Sequence, residues 1–454
     1  MSDSQKTVRR LVWLYFWLLL FEGALRKWLV PGLSNALLIV RDPVVVAIYA
    51  LALRDRIFPI SGFVLWTLIL AALCFLTSFA GIGTLPVTIY GLRANFLHLP
   101  LIVLLPRILR IEDVRKMGFA LLLLLTPMAL LAVKQFIAGP NSAWNVGAGG
   151  EVGGQLFAAV GRVRASGTFS FATGLATYLA VSAAFLLYDL LGPRGYPRWL
   201  TYSAVPAIAL ALIISGSRTA VISVAIVCFL GLLVGVRSPA QIAAAFQLIL
   251  LSGVAVAALA WGTSIFHQGM EVHRQRFEGG GGVREGILMR YGQEFISAGG
   301  ALSNATPLGL GLGVGTNVGA ALLRGHREFS LGEGEWQRVI LESGVLLGGS
   351  YILLRVAMLF SVAGRALLAY RAGRILPLLL VGAGGLDLAN GQFGQPTTLG
   401  FAVFVAGLAL TATEPETTNS PSSPLPPQPA KTEVRGRSVY AERLHGSNEK
   451  NDAP

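Results

Sequence analysis

Residues 200–236 read LTYSAVPAIALALIISG, then Ser217, then RTAVISVAIVCFLGLLVGV. Two apolar runs meet at Ser215-Gly-Ser-Arg218 with almost no loop between them. Each is close to the about 20 apolar residues that cross the hydrocarbon core of a bilayer. Lipid offers the backbone no hydrogen-bond partner, so such runs must be helices or strands of a closed barrel. They are too long and too evenly apolar for barrel strands, which alternate over about 10 residues. The fold this pair implies is an all-α polytopic membrane protein.

The rest of the chain repeats the pattern. Of 454 residues 54% are hydrophobic and 13% charged, and the mean hydropathy is +0.64. A soluble domain carries about 25% charged residues. Twelve spans are expected, at about 11–30, 35–53, 60–79, 85–106, 117–138, 168–190, 200–216, 218–236, 241–264, 336–360, 375–391 and 397–413. Glu22, Arg26 and Lys27 interrupt the first, and Arg41-Asp42-Pro43 opens the second. Glu22 and Arg26 are four apart, which suits an internal pair. Buried ions are costly in lipid unless paired.

The net charge of +13 would suggest nucleic acid in a soluble protein. Here most basic residues sit in short loops, where they orient the spans. Arg54, Arg56, Arg107, Arg110, Arg115, Lys116, Arg194, Arg198, Arg237, Arg365, Arg371 and Arg374 mark the cytoplasmic side. The turns near 80–84 and 391–396 hold no Lys or Arg. Both termini are then expected inside the cell, with the 139–167 loop, the Ser215–Arg218 turn and the 265–335 loop outside. Residues 1–413 form the membrane domain, and the Pro/Ser-rich segment 414–454 reads as a disordered tail. Cys74 and Cys228 lie in apolar runs and read as small packed residues.

The segment 266–349 gathers the polar groups: three of the five histidines, seven arginines and a glycine series at 309, 311, 313 and 315. Five constellations stand out. Arg164-Ala-Ser-Gly-Thr-Phe169 opens the sixth span, where backbone N–H groups at a helix N-terminus favour an anion. Arg218 follows the Ser-Gly-Ser turn at headgroup depth, where a snorkelling anchor and a pyrophosphate fork both fit. Arg284 to Arg290 reads as an amphipathic helix on the membrane surface, preceded by a hinge at Gly279–Gly282. Pro307 to Gly315 is a close-approach backbone turn; no strand–helix unit surrounds it, which excludes a dinucleotide site. Glu335, Arg338 and Glu342 share one helical face, which suits either an ion ladder or a general base at an apolar boundary. His98 reads as a packed helix residue. His326, beside Arg324 and Arg327, is the one histidine worth testing, and no metal-ligand spacing is found.

In this order the motifs resemble the O-antigen ligase and O-antigen polymerase superfamily of bacterial envelope glycan enzymes, over roughly 160–350. The residues concerned are Arg164 to Phe169, Ser217-Arg218, the arginine-bearing helix from Arg284, Pro307 to Gly313, and Glu342-Ser-Gly344 to Gly348. Counting back from Gly344, Glu333 stands where ligases of lipopolysaccharide carry histidine, which favours a polymerase or exopolysaccharide-type member. The resemblance implies an architecture of the GT-C kind, with the large external loop between the ninth and tenth spans. It implies an inverting glycosyltransferase of the inner membrane that needs neither metal nor other cofactor and takes undecaprenyl-pyrophosphate-linked glycan. Arg164, Arg218, Arg284 and Arg290 would hold the departing pyrophosphate. Glu333 or Glu335 would take the proton from the acceptor hydroxyl, with His326, Arg338 and Glu342 as further candidates. The partners implied are the lipid-linked glycan, membrane lipids and other polysaccharide-assembly proteins, without nucleic acid. A transporter of the same lipid-linked sugars, or a scaffold for their assembly, are the competing classes.

Overall fold

A computed structural model describes residues 3–153, 155, 161–192, 195–235, 243, 264–278, 283–325, 331, 332 and 334–415. Among these residues the chain is helical, with no strand. Among the described residues five helices are long and apolar enough to cross a membrane, or six if one bent pair counts as a single span. The protein is an all-α membrane protein.

Described helices overlap eleven of the twelve expected runs, one run being split in two, and three further helices lie in the expected 265–335 loop. They are α1 (Asp3–Ala24), α2 (Arg41–Arg54), α3 (Gly62–Ser78), α4 (Leu85–Leu92), α5 (Leu101–Ile108), α6 (Ile111–Ile137) and α7 (Ala172–Leu191). Then come α8 (Arg198–Ser215), α9 (Arg218–Gly235), α10 (Ser264–Glu278), α11 (Val283–Asn304), α12 (Asn317–Arg324), α13 (Glu335–Arg371), α14 (Leu376–Asn390) and α15 (Pro396–Thr411). The expected ninth span at 241–264, the Gly279–Gly282 hinge and nearly all of the tail lie outside the described residues.

Helix α7 sits at the centre, with 94% of its apolar window buried. Its sequence, ATGLATYLAVSAAF, is rich in small residues, which let neighbouring backbones approach closely. Helices α6, α8, α9, α14 and α15 pack on it.

Two spans depart from straight rods. Between α4 and α5 the chain passes through a π-helical turn at Arg93–Leu97 and bends by 47° ahead of Leu101. Pro100, which has no N–H to give, stands at the bend. Carbonyls near the break take side-chain donors: Asn95 Nδ2 on Gly91 O (2.9 Å), Tyr351 hydroxyl on Asn95 O (2.8 Å) and Tyr49 hydroxyl on Leu97 O (2.8 Å). Helix α13, expected as one plain span, is broken at Gly344 (φ 77°, ψ 170°), a conformation that only glycine takes cheaply. The carbonyls of Leu341 and Glu342 lose helical donors there. They accept instead from Leu310 N–H (2.9 Å) and Gly311 N–H (3.0 Å) of the glycine series.

That exchange docks the glycine series onto the helices. Leu312 N–H also donates to Ser78 Oγ (2.9 Å), and Ile82 N–H to Leu310 O (2.9 Å). A Cβ at Gly309 would lie 2.2 Å from Glu342 O, and one at Gly313 would lie 2.3 Å from Val87 O. The opposite end of the bundle is tied separately. Asp113 takes Arg9 and the Arg110 N–H, and Asp189 takes the Gly195 and Tyr196 N–H groups and the Thr201 hydroxyl.

Candidate functional site

The docked loop covers a buried ion cluster at the start of α13. Glu335 Oε1 accepts from Arg355 Nη1 (2.7 Å), Arg338 Nη2 (2.9 Å) and Phe393 N–H (3.3 Å). Its Oε2 accepts from Arg338 Nε (2.9 Å). Arg338 reaches on to Glu342 Oε2 (2.6 Å) and Asn95 Oδ1 (2.9 Å). The other oxygen of Glu342 accepts from Gly315 N–H (2.8 Å). The ladder expected from the three-and-four spacing therefore forms, and it grips the glycine turn from below.

Arg355, 20 residues beyond Glu335 in α13, closes the cluster. It donates to the carbonyls of Leu388 (2.9 Å), Asp387 (3.2 Å) and Gly391 (2.8 Å), the C-terminal end of α14. A cation suits the negative pole of a helix. Its guanidinium carbon lies 3.6 Å from the centre of the Phe393 ring. Two carboxylates and two guanidiniums balance, and all four side chains are buried.

Above the cluster, Gly315, Thr316, Asn317, Gly332, Gly334, Gln392, Gly394 and Gln395 line a cleft with room for about one ordered water. Glu335 and Arg338 line the same cleft; Glu335 Oε1 accepts three hydrogen bonds and Oε2 one, so Oε2 keeps an acceptor site. Glu333 and His326 lie outside the described residues. Glu294, on α11, was not singled out from the sequence. Its Oε1 accepts from Trp336 N–H (2.7 Å), capping α13, and burial raises its carboxyl above the usual range.

The arginines sort differently. Arg218 stands at the N-terminus of α9, after Gly216 in the left-handed region (φ 56°). Ser215 Oγ accepts from Ser217 N–H and Ser217 Oγ from Ala220 N–H. Arg218 is half-buried, and its Nε is buried with no hydrogen-bond partner among the described residues. A cation at the positive pole of a helix, with a donor unspent, is an arrangement that an anion would relieve. Arg164 is half-buried on the segment leading into α7. The turn beside it has its donors spent: Gln135 Oε1 accepts from Ser166 N–H (3.0 Å) and Gly167 N–H (2.8 Å). That turn is therefore not the open anion cradle that its sequence suggested. Arg284 and Arg290 lie on α11, whose backbone alone is described there.

A second charged cluster lies on the other side of the 391–396 turn. Glu22 pairs with Arg26 (3.3 Å) and with Arg41 (3.0 Å), and Asp42 pairs with Arg93 (2.7 Å). His98 bridges Tyr15 and Asp42, at 3.0 Å each. Lys27 is spent on Ser166 Oγ, Gly167 O and Phe169 O (2.8–2.9 Å). The sequence pointed to the Glu22–Arg26 pair and to packing of His98, but not to Arg41, Arg93 or Arg355 as partners. A charge within an apolar run was the available signal for Arg355. Among the described residues no three metal-ligating side chains converge. No family model, curated protein or solved structure matches this chain.

Proposed function

We propose that this protein is a membrane glycosyltransferase that polymerises or transfers undecaprenyl-pyrophosphate-linked glycan at the outer face of the bacterial inner membrane. The observation that carries this is Arg218: a half-buried guanidinium at a helix N-terminus, with an unspent buried donor. It lies on the end of the bundle that also holds Arg164 and the docked loop. A lipid pyrophosphate would answer that excess of positive potential at headgroup depth. In this reading the chain has twelve spans, both termini cytoplasmic, and an architecture of the GT-C kind.

The mechanism follows from the division of labour. Arg218, with Arg164, Arg284 and Arg290, holds the pyrophosphate and takes up charge as the bond to the anomeric carbon breaks. The acceptor hydroxyl attacks from the opposite face, which inverts the configuration. Glu333 or Glu335 takes its proton, Glu335 through the acceptor site that Oε2 keeps beside Arg338 Nε. The Glu335–Arg338–Glu342–Arg355 cluster keeps the loop and the 391–396 turn in place.

One observation favours a second reading, a transporter of the same lipid-linked sugars. The broken span at 85–108 carries buried Arg93 and His98, and interrupted helices with polar groups are how transporters build binding sites. Purified protein in nanodiscs or vesicles, given lipid-linked oligosaccharide without nucleotide or added metal, separates the two. A ladder of products means a polymerase, and one transfer to a supplied lipid A-core acceptor means a ligase. Donor crossing the bilayer with no transfer overturns the enzyme.

A further inference from the structure

The residues that line the cleft above the Glu335 cluster include no aliphatic or aromatic side chain. Four are glycines, so backbone forms much of the wall, and the rest are Thr316, Asn317, Glu335, Arg338, Gln392 and Gln395. The charges cancel within the protein. Arg338 is shared between Glu335 and Glu342, and Glu335 also takes Arg355. An anion such as pyrophosphate therefore meets no unpaired cation among the described lining residues.

Hydrogen-bonding capacity is left over in both senses. Asn317 Oδ1 is buried with no partner among the described residues, and a buried acceptor is costly until a donor reaches it. Glu335 Oε2 accepts only from Arg338 Nε (2.9 Å). Gln395 Oε1 accepts from the Thr173 hydroxyl (3.0 Å), while its Nε2 gives one N–H to Gln392 Oε1 (2.5 Å) and keeps the other. A group that donates and accepts at once is a hydroxyl; an ammonium only donates and a carboxylate only accepts. The floor has room for about one water, which is also the room of one hydroxyl. With its open mouth included the cleft measures about 300 Å³, the lower end of small-molecule sites.

We propose that this cleft is the subsite of a neutral sugar acceptor, with one ring hydroxyl seated in the floor and the ring in the mouth. Glu335 Oε2 accepts from the seated hydroxyl and Gln395 Nε2 donates to it, while Asn317 Oδ1 accepts from the neighbouring hydroxyl. Asn317 is then the residue that reads which sugar is taken. The inference rests on the glycosyltransferase reading, and it gives the acceptor residues other than Arg218, which meets the donor.

The test uses the full-length protein in nanodiscs with lipid-linked oligosaccharide as donor. The acceptors are the sugar that supports turnover in wild type and its monodeoxy derivatives, each with one hydroxyl replaced by hydrogen. Asn317→Leu should lose roughly 5- to 10-fold in kcat/KM for the acceptor, through KM, with the donor KM unchanged. In wild type one monodeoxy acceptor should lose a similar factor, and with that acceptor Asn317→Leu should lose nothing more. An unchanged acceptor KM in Asn317→Leu, or an equal further loss with every monodeoxy acceptor, overturns the subsite and leaves the glycosyltransferase reading in place. The wild-type series needs no variant to fold: if only the derivative lacking the reacting hydroxyl is impaired, the subsite is overturned on that result alone. Absence of turnover by wild type with any acceptor overturns the glycosyltransferase reading and the subsite with it.

Discussion

The two buried ion clusters flank the same short turn, 391–396, and solve opposite problems. The cluster at the start of α13 has two carboxylates for two guanidiniums and closes on itself. The cluster of Glu22, Arg26, Lys27, Arg41, Asp42 and Arg93 has four cations for two carboxylates. It meets the excess with neutral acceptors: the carbonyls of Ser34, Leu38, Gly167, Phe169 and Pro396, and the hydroxyls of Tyr15, Ser166 and Ser170. A balanced cluster depends on each charge, because losing one leaves its partner buried alone. A cluster spread over carbonyls loses one acceptor among many. In the proposed reading Arg218 differs from both by its place: Arg93 Nη1 is also a buried donor without a hydrogen-bond partner among the described residues, but Arg93 is paired with Asp42, whereas Arg218 stands at a helix N-terminus.

The largest effect is expected at Arg338. Arg338→Ala leaves two carboxylates buried without their shared cation and should cost about 3–5 kcal/mol, read by thermal unfolding in detergent. Glu22→Gln is the matched change on the other side. It turns one acceptor oxygen into a donor facing a guanidinium, but Arg26 and Arg41 keep their carbonyl and hydroxyl partners. Its cost should be about 1.5–3 kcal/mol. If Glu22→Gln proves as damaging as Arg338→Ala, the contrast between the clusters fails.

Gly344→Ala tests how the loop is held to the balanced cluster. It strains a positive φ and sets a Cβ 2.2 Å from Pro307 O, so it should cost about 1–3 kcal/mol. Limited proteolysis should show faster cutting near residue 307, and unchanged cutting would mean that the glycine series docks by other contacts. The smallest effect concerns Glu294, whose carboxyl burial holds above its usual range. The fold favours its protonated form. That stabilising contribution is complete below the unfolded carboxyl pKa and is lost as pH rises through the higher folded one. Wild type should lose stability over that window relative to Glu294→Gln, and parallel pH profiles would rule the contribution out.

The helical segments were legible because length and apolarity alone mark a span. The Glu335–Arg338–Glu342 ladder was legible because its spacing is local. The break at Gly344 was not, since Glu-Ser-Gly-Val in an apolar run reads as continuous helix until the docked glycine series supplies donors for the freed carbonyls. The pairing of Arg93 with Asp42 joins residues 51 apart, and that of Arg41 with Pro396 joins residues 355 apart. No local period encodes such contacts. Glu294 escaped notice because its environment comes from α13, not from its own helix.

Arg218 offers the most direct measurement: turnover of lipid-linked oligosaccharide by purified Arg218→Ala beside wild type, at matched folding and insertion. The rate should fall by about 10²–10³, with thermal stability little changed. A variant that turns over at the wild-type rate would contradict the assignment of Arg218 as the group that meets the pyrophosphate.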